Sequence, residues 1–480
     1  MINHGIRILE EPTALAAPVT GDCSVPIVIG TAPVNMGAKP GAAVNVPILA
    51  NSAKEAIKAL GYSDDFKNYT LCQMMYLTSN VYPVSPLVYI NVLDPAKHNK
   101  AITEKEIQVN DLQAVLEEDG VILEGLNVKA GAASTVLAKG TDYDVEFNDD
   151  GYLVISLTST GAGKTATTLK VSGKQLDPSK VTKDDIIGTV NKGKETGAQL
   201  IRQVYPKLGI VAGLIIAPGW SHIPEVGIVL AAKAANVNGV FKAQALLDLD
   251  TTKATEYTEC KKVKEDSGFT SAFGVPMWPC DKIGDLIFAK SAVMAARIAY
   301  QDAENGNVPN LSPSNKLLGV TGQCLADGTE VVLDQDQANT VNSFGVLTAI
   351  NMNGWRSWGN YTGAYPGSSD AKDTFISVRR MFNWHGNVFI QTYFNKVDDP
   401  MNTVLIESVV DSENIRCGAY APKYWAGASM EYRKSDNPKT DILAGKITFR
   451  QRIAPYTPAQ EIDNVLTYDT DMLAAALGGE

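Results

Sequence analysis

The chain is 480 residues long, with a formal net charge of -11, 45% hydrophobic and 20% charged residues. These are the proportions of an ordinary soluble globular protein of about three domains. The negative balance argues against direct nucleic-acid binding, which depends on Lys and Arg neutralising phosphates. Six scattered cysteines (23, 72, 260, 280, 324 and 417) form no C-x-x-C pair, and there are four histidines. No metal site, no cofactor and six reduced thiols are expected. The opening MINHGIRILEEP lacks a basic-then-apolar leader, and the longest apolar stretch, 208–218, is too short to span a bilayer. A cytoplasmic protein with no direct membrane insertion is expected.

In chain order, GIRILEEP reads as an extended segment with an acidic end. VPIVIGTAP, 25–33, is a continuous apolar run and predicts a buried strand. SAKEAIKALG, 52–61, predicts a helix capped by Ser52, boxed by Glu55 and ended by Gly61. A second helix near 69–80 leads to the buried strand PLVYINVLD. From 98 to 183 the texture changes to short β runs and polar turns, with Asp150-Gly151 marking a hairpin. That stretch predicts an inserted barrel or sandwich.

The α/β texture resumes near 194. GLIIAPGW, FKAQALLDLD and SAFGVPMWP predict strands separated by helices, the first of which starts at Ser221 or His222. A long helix is expected near 283–300, then an Asn/Pro/Ser-rich loop over 305–316. Strands are expected again from 344, including TFISVRRMFNWHGNVFIQTYF. Near the end, GKITFRQRIAPYTP alternates: Lys446, Thr448, Arg450 and Arg452 on one face, Ile447, Phe449, Gln451 and Ile453 on the other.

Three stretches invite a chemical reading. GAGKT, 161–165, has Thr158 where a P-loop needs glycine, and a strand follows where a helix is required. It predicts a turn. GWSH, 219–222, sets Ser221 and His222 at a strand end, with Asp248 and Asp250 ending the next strand. A hydrolase is the alternative this raises, but Ile223 breaks the nucleophile elbow. NGWRSWGNYTG, 353–363, gathers Trp355, Arg356, Trp358 and Tyr361, which predicts packing or a protein interface. No catalytic residue is assigned.

Taken in order, GIRILEE, VPIVIGTAPVN, TDYDV, LDPSKVTKDDIIG, LIIAPGWS, ALLDLD, FGVPMWP, NVPNLSPSNKLLGV, GVLTAINMNGWRSWGNYT and GKITFRQRIAPYTPAQEI resemble the tail sheath proteins of contractile-tailed bacteriophages and related injection machines. The resemblance implies an α/β core, mostly parallel with helices on both faces, an inserted β-rich domain and two extended arms. The corresponding map is 1–20 N-terminal arm, 21–97 and 184–444 core, 98–183 insertion and 445–480 C-terminal arm and tail.

It further implies a non-enzymatic subunit that polymerises as stacked hexameric rings around an inner tail tube, meets baseplate and tail terminator proteins, and contracts to drive the tube through a cell envelope. Such a sheath is assembled in the bacterial host cytoplasm and resides in the virion tail. Both arms would add strands to neighbouring subunits: Ile6, Arg7, Ile8, Leu9, Glu10 and Glu11 from one end, and Lys446, Ile447, Thr448, Phe449, Arg450, Gln451, Arg452 and Ile453 from the other. The second strand is then expected to be dispensable for folding of its own subunit. A different self-assembling surface or adhesion protein is the remaining alternative.

Overall fold

A computed structural model describes residues 19–20, 22–131 and 135–478. Its centre is a six-stranded sheet. Strands β1 (Pro26–Gly30), β2 (Pro47–Ala50) and β3 (Leu87–Asn91) come from the first part of the chain. Strands β11 (Leu214–Ile216), β12 (Gln244–Asp248) and β13 (Gly274–Met277) come from the second. The order is β13-β12-β11-β1-β3-β2, parallel except for the antiparallel edge strand β2. Every residue of β1, β3, β11 and β13 is buried, so both faces of the sheet are covered, as continuous apolar runs require.

Helix α1 (Ala53–Leu60) carries the expected ends: Ser52 accepts from Glu55 N, Glu55 accepts from Asn51 N at 2.8 Å, and Gly61 takes φ 76°. Helix α2 (Cys72–Asn80) follows.

Between β3 and the return to the core lie seven strands: β4 (Asn99–Gln108), β5 (Gln113–Leu116), β6 (Val121–Ala130), β7 (Thr135–Val136), β8 (Tyr143–Phe147), β9 (Leu153–Leu157) and β10 (Thr168–Leu176). They form two antiparallel sheets, ordered β8-β9-β5 and β4-β10-β6-β7. Leu116, Tyr143 and Ile155 of one sheet share a core with Ile102, Val128 and Val171 of the other, the packing of a sandwich. Gly151, at φ 82°, turns the β8–β9 hairpin. Where this unit joins the core, buried His98 accepts from Asp94 N at 3.0 Å through Nδ1, and Lys97 pairs with Asp185.

Three expectations need correction. Helix α3 (Pro224–Ala235) has Pro224 in its first turn and no side-chain cap; Ser221 is turned instead to Asp248. After helix α4 (Cys260–Asp266), the stretch 280–288 is a hairpin, β14 (Cys280–Ile283) with β15 (Leu286–Phe288), and the long helix α5 starts only at Lys290 and runs to Glu304. After the β16 (Thr348–Asn351) and β17 (Trp355–Trp358) hairpin, 376–393 is helix α6 (Ile376–Tyr393), not strand. Its β-branched and aromatic residues suggest a strand. Its buried polar residues Arg379, Asn383 and Asn387 recur every four positions, and the two asparagines bond one stretch of backbone. Asn383 donates to Ala243 O, and Asn387 both accepts from Lys242 N and donates to Lys242 O. That demand is met only on a helix.

Helix α6 is bolted to the core. Asp302 on α5 is fully buried and accepts from Ser24 Oγ at 2.6 Å and from Arg380 on α6. Helix α7 (Thr403–Tyr420), strand β18 (Trp425–Tyr432) and strand β19 (Phe449–Pro455) follow, and the tail carries a short helix, Thr470–Ala476.

Candidate assembly interface

β18 and β19 form a two-stranded antiparallel sheet, with Tyr432 opposite Phe449, Met430 opposite Gln451 and Ala428 opposite Ile453. The basic strand expected over 446–453 therefore begins at Phe449, and one edge is already paired within its own subunit. Lys446, Ile447 and Thr448 precede it. Lys446 is tied to Asp441 at 2.7 Å, and Thr448 is bracketed by the Asn437 amide. The alternation holds within the strand: Phe449, Gln451 and Ile453 are half-buried, Arg450 and Arg452 exposed. Residues 6–11, the expected N-terminal strand, lie outside the described residues.

The hairpin sits on α6 and α7. Trp425 is fully buried, donates to Cys417 O at 3.1 Å and packs edge-on to His385 and Tyr420 and at a tilt to Trp384 within a small core. Beneath it, Glu413 is completely buried and saturated: Arg416 donates to both its oxygens, at 2.9 and 2.5 Å, and Gln451 of β19 donates to Oε1 at 2.8 Å. Burial pushes the Glu413 carboxyl up, but these bonds outweigh it and hold it below the usual range.

His385 Nδ1 lies 3.1 Å from Arg416 Nη2. A guanidinium can only donate, so Nδ1 accepts and the ring is neutral; burial holds its pKa low. His385, Glu413 and Cys417 have the donor types of a metal site, but the space among them is taken by Arg416 and by the Gln451 amide, 3.3 Å from Cys417 Sγ. A cation does not fit there. Gln451 thus ties β19 into its own subunit, and the strand is not free to pair only in a neighbour.

The other chemical candidates are also committed elsewhere. Asp248 Oδ2 accepts from Ser221 Oγ at 2.6 Å and Ser291 Oγ at 2.5 Å, and Oδ1 accepts from Ser291 N at 2.8 Å. Ser221 is fully buried, and neither contact involves His222. In open α/β sheets the ligand crevice lies where strand order reverses, here between β1 and β11. Thr70 packs against the glycines that flank it: a methyl added to Gly30 would lie 2.2 Å from Thr70 Oγ1, and one added to Gly219 2.9 Å from Thr70 Cγ2. Beside it a cavity of about 540 Å³ is lined by Gly219, His222, Asp248 and Asp250.

GAGKT forms a turn before β10; Ala162 N donates to Asp142 at 2.8 Å, so a carboxylate sits where a phosphate would. Trp355 donates to Thr321 O and Trp358 to Asn339, while Tyr361 stacks on Tyr365 at 3.8 Å and reaches Gln460 of the tail at 2.8 Å. Sequence reasoning missed three residues of this region: Asn414, Glu413 and Arg416. A Glu-x-x-Arg spacing on a helix was their one available signal.

These side chains hold the structure together, and the tail beyond Pro458 is exposed. No family model matches the chain. It shares its fold with the contracted-state helical sheath of the anti-feeding prophage, at 14% identity and a TM-score of 0.56, covering 97% of this chain and 99% of that one.

A tail sheath protein of Burkholderia phage BcepMu is 26% identical over 496 aligned positions, 99% of this chain and 97% of the relative. A prophage major tail sheath protein of Pseudomonas aeruginosa (strain UCBPP-PA14) is 30% identical over 286 positions, 57% of this chain and 70% of the relative. The chain belongs to the tail sheath protein family and is a structural subunit of a contractile tail sheath.

Proposed function

We infer that copies of this chain assemble by exchanging terminal strands, forming stacked hexameric rings around an inner tail tube. The observation that carries this is at the C-terminal end. The short β18–β19 sheet carries no third strand among the described residues. After it in the chain comes a segment without regular secondary structure, 456–469, on which Ile462, Val465 and Leu466 are each 86% exposed. A lone two-stranded sheet is marginal in water, and such apolar exposure in one segment marks a docking element. The donor of the C-terminal arm is thus the tail beyond Pro458, and β19 is part of the acceptor. The N-terminal segment Ile6–Glu11 is the second donor.

Each subunit keeps its α/β core rigid on contraction, and the linkers at its ends take up the motion. The β-rich unit 98–183 faces outward and folds autonomously. The tail tube, baseplate and terminator proteins are the further partners, and assembly takes place in the host cytoplasm. Electron microscopy of the purified full chain tests this reading: striated hollow tubes or rings are expected, and a monodisperse monomer at every concentration would refute it.

A further inference from the structure

We propose that Cys280 and Cys324 form a dithiol site that low-molecular-weight disulfides oxidise to a cross-strand bond, tying together the two ends of the segment that carries helix α5. The site stands apart from the chain ends and from strand exchange.

Strand β14 pairs antiparallel with a short strand, Gly322–Cys324, in a register that sets Cys280 opposite Cys324, Asp281 opposite Gln323 and Lys282 opposite Gly322. Directly opposite residues project to the same face. The neighbouring pair supports that register. Asp281 Oδ1 accepts from Lys290 Nζ at 2.6 Å, and the Gln323 amide, with its oxygen turned to the same ammonium, accepts at 2.8 Å. Asp281 and Gln323 thus converge on one face, and Cys280 and Cys324 meet on the other. Opposite residues in such a ladder have Cα atoms about 4.5–5.5 Å apart, inside the range of about 4.4–6.8 Å that a disulfide spans. Their Cβ atoms stand about 4.5–5.5 Å apart, against about 3.5–4.5 Å in a disulfide, so the strands close up slightly when the bond forms. A bond under that load stays easy to reduce.

The two free thiols differ in access. Cys280 is half-buried and lines the cavity beside Gly219, so a small reagent there meets it first. Cys324 is 1% exposed. Burial and the carboxylates of Asp248 and Asp281 push the Cys280 thiol up against the pull of Lys290. Burial, with Asp281 and Asp327, pushes Cys324 up to about 11 against Lys282 and Lys290. The pair therefore reacts only through a small thiolate fraction near neutral pH. The Cys280 thiolate attacks a disulfide RSSR, forming Cys280–S–S–R and releasing RS⁻. The Cys324 thiolate then attacks the Cys280 sulfur and expels the second RS⁻. Two protein thiols are oxidised, one RSSR is reduced, and the two thiol protons end on two RSH.

The loop closed by this bond contains all of α5, and with it Asp302, which holds Arg380 of α6. Cross-links over long loops restrain the unfolded chain more than those over short ones. Protein disulfides persist outside a reducing cytoplasm, so the tether is set once a tail has left the cell.

The test is oxidation of the folded full chain with oxidised glutathione at about pH 8, where thiolate is more abundant. An acid quench, alkylation in denaturant and peptide mapping by mass spectrometry follow. Free thiols should fall from six to four, with 280 and 324 joined and Cys23, Cys72, Cys260 and Cys417 still alkylated. Dithiothreitol should restore all six. Cys324→Ser should stop at one glutathione on Cys280, and Cys280→Ser should leave Cys324 unmodified. The oxidised chain should melt about 4 °C or more above the reduced one.

Six thiols after exposure, a bond between any other two cysteines, or glutathione on Cys324 in the Cys280→Ser variant would overturn the site. An oxidised chain that melts no higher than the reduced one would overturn the tether. The wild-type map decides the site by itself should either variant fail to fold.

Discussion

The buried pair of Arg380 and Asp302 joins the C-terminal helices to the core, and its removal should be costly in a specific way. Arg380 is 4% exposed and Asp302 0%. Asp302→Ala leaves a guanidinium out of water with no counter-charge, which costs about 3–5 kcal/mol, because the desolvation penalty stays while its compensation goes. For a domain of 150–250 residues this corresponds to a lowering of the melting temperature by about 6 °C or more.

Arg380→Met alone should cost a similar amount, since Asp302 is then the stranded charge. The double variant Asp302→Leu/Arg380→Met should recover most of the loss, because two apolar groups leave nothing unpaired. Urea unfolding followed by tryptophan fluorescence, with Trp384 and Trp425 in the core that α6 helps to form, gives the coupling from the four proteins. Single variants costing under about 1 kcal/mol, or a double variant equal to the sum of the singles, would refute the argument that the pair acts as a buried bolt.

Three further outcomes follow from the same structure. Truncation after Ala444 removes β19 and strips Gln451 from buried Glu413, so circular dichroism and thermal scans should show a destabilised C-terminal unit; truncation after Pro458 should leave melting unchanged while abolishing assembly. The folded His385 and His98 titrate below the usual imidazole range because they are buried. The unfolded chain therefore binds protons that the folded chain refuses as pH falls below about 6.5, and stability should drop from there downward; His385→Gln should flatten that slope, and an unchanged slope would remove His385 from the explanation. Lys164→Ala should leave stability and assembly unchanged, and any ATP binding lost in that variant would contradict the reading of 161–165 as a simple turn.

Much of the core was legible because its signals are local. VPIVIG and PLVYIN are apolar on both faces, so they had to be buried parallel strands, and Ser52, Glu55 and Gly61 carry the ends of α1 in the residues themselves. What depended on distant partners was not legible. TFISVRRMFNWH carries strand-like residues, and only the backbone of Lys242 and Ala243, about 140 positions away, explains why Asn383 and Asn387 must lie on one helical face. Ser221 looked like a helix cap because its contact to Asp248 lies 27 residues on.

The period-two pattern of 449–453 was correctly a strand, but nothing in it says that its first neighbour is Trp425–Tyr432 of the same chain. Asn414, an unremarked polar residue in a helix, both accepts from Met430 N and donates to Met430 O, contacts that no local pattern announces.

On the proposed function, these subunits form a hollow helical array held together by chain ends crossing between them. Helical reconstruction of the assembled full-length chain by cryo-electron microscopy is the deciding measurement. The expected density shows rings stacked around an open axis, with continuous density from Pro458 leaving its own subunit for another. Density in which every tail stays on its own subunit, with rings joined by the faces of the α/β core alone, would contradict it.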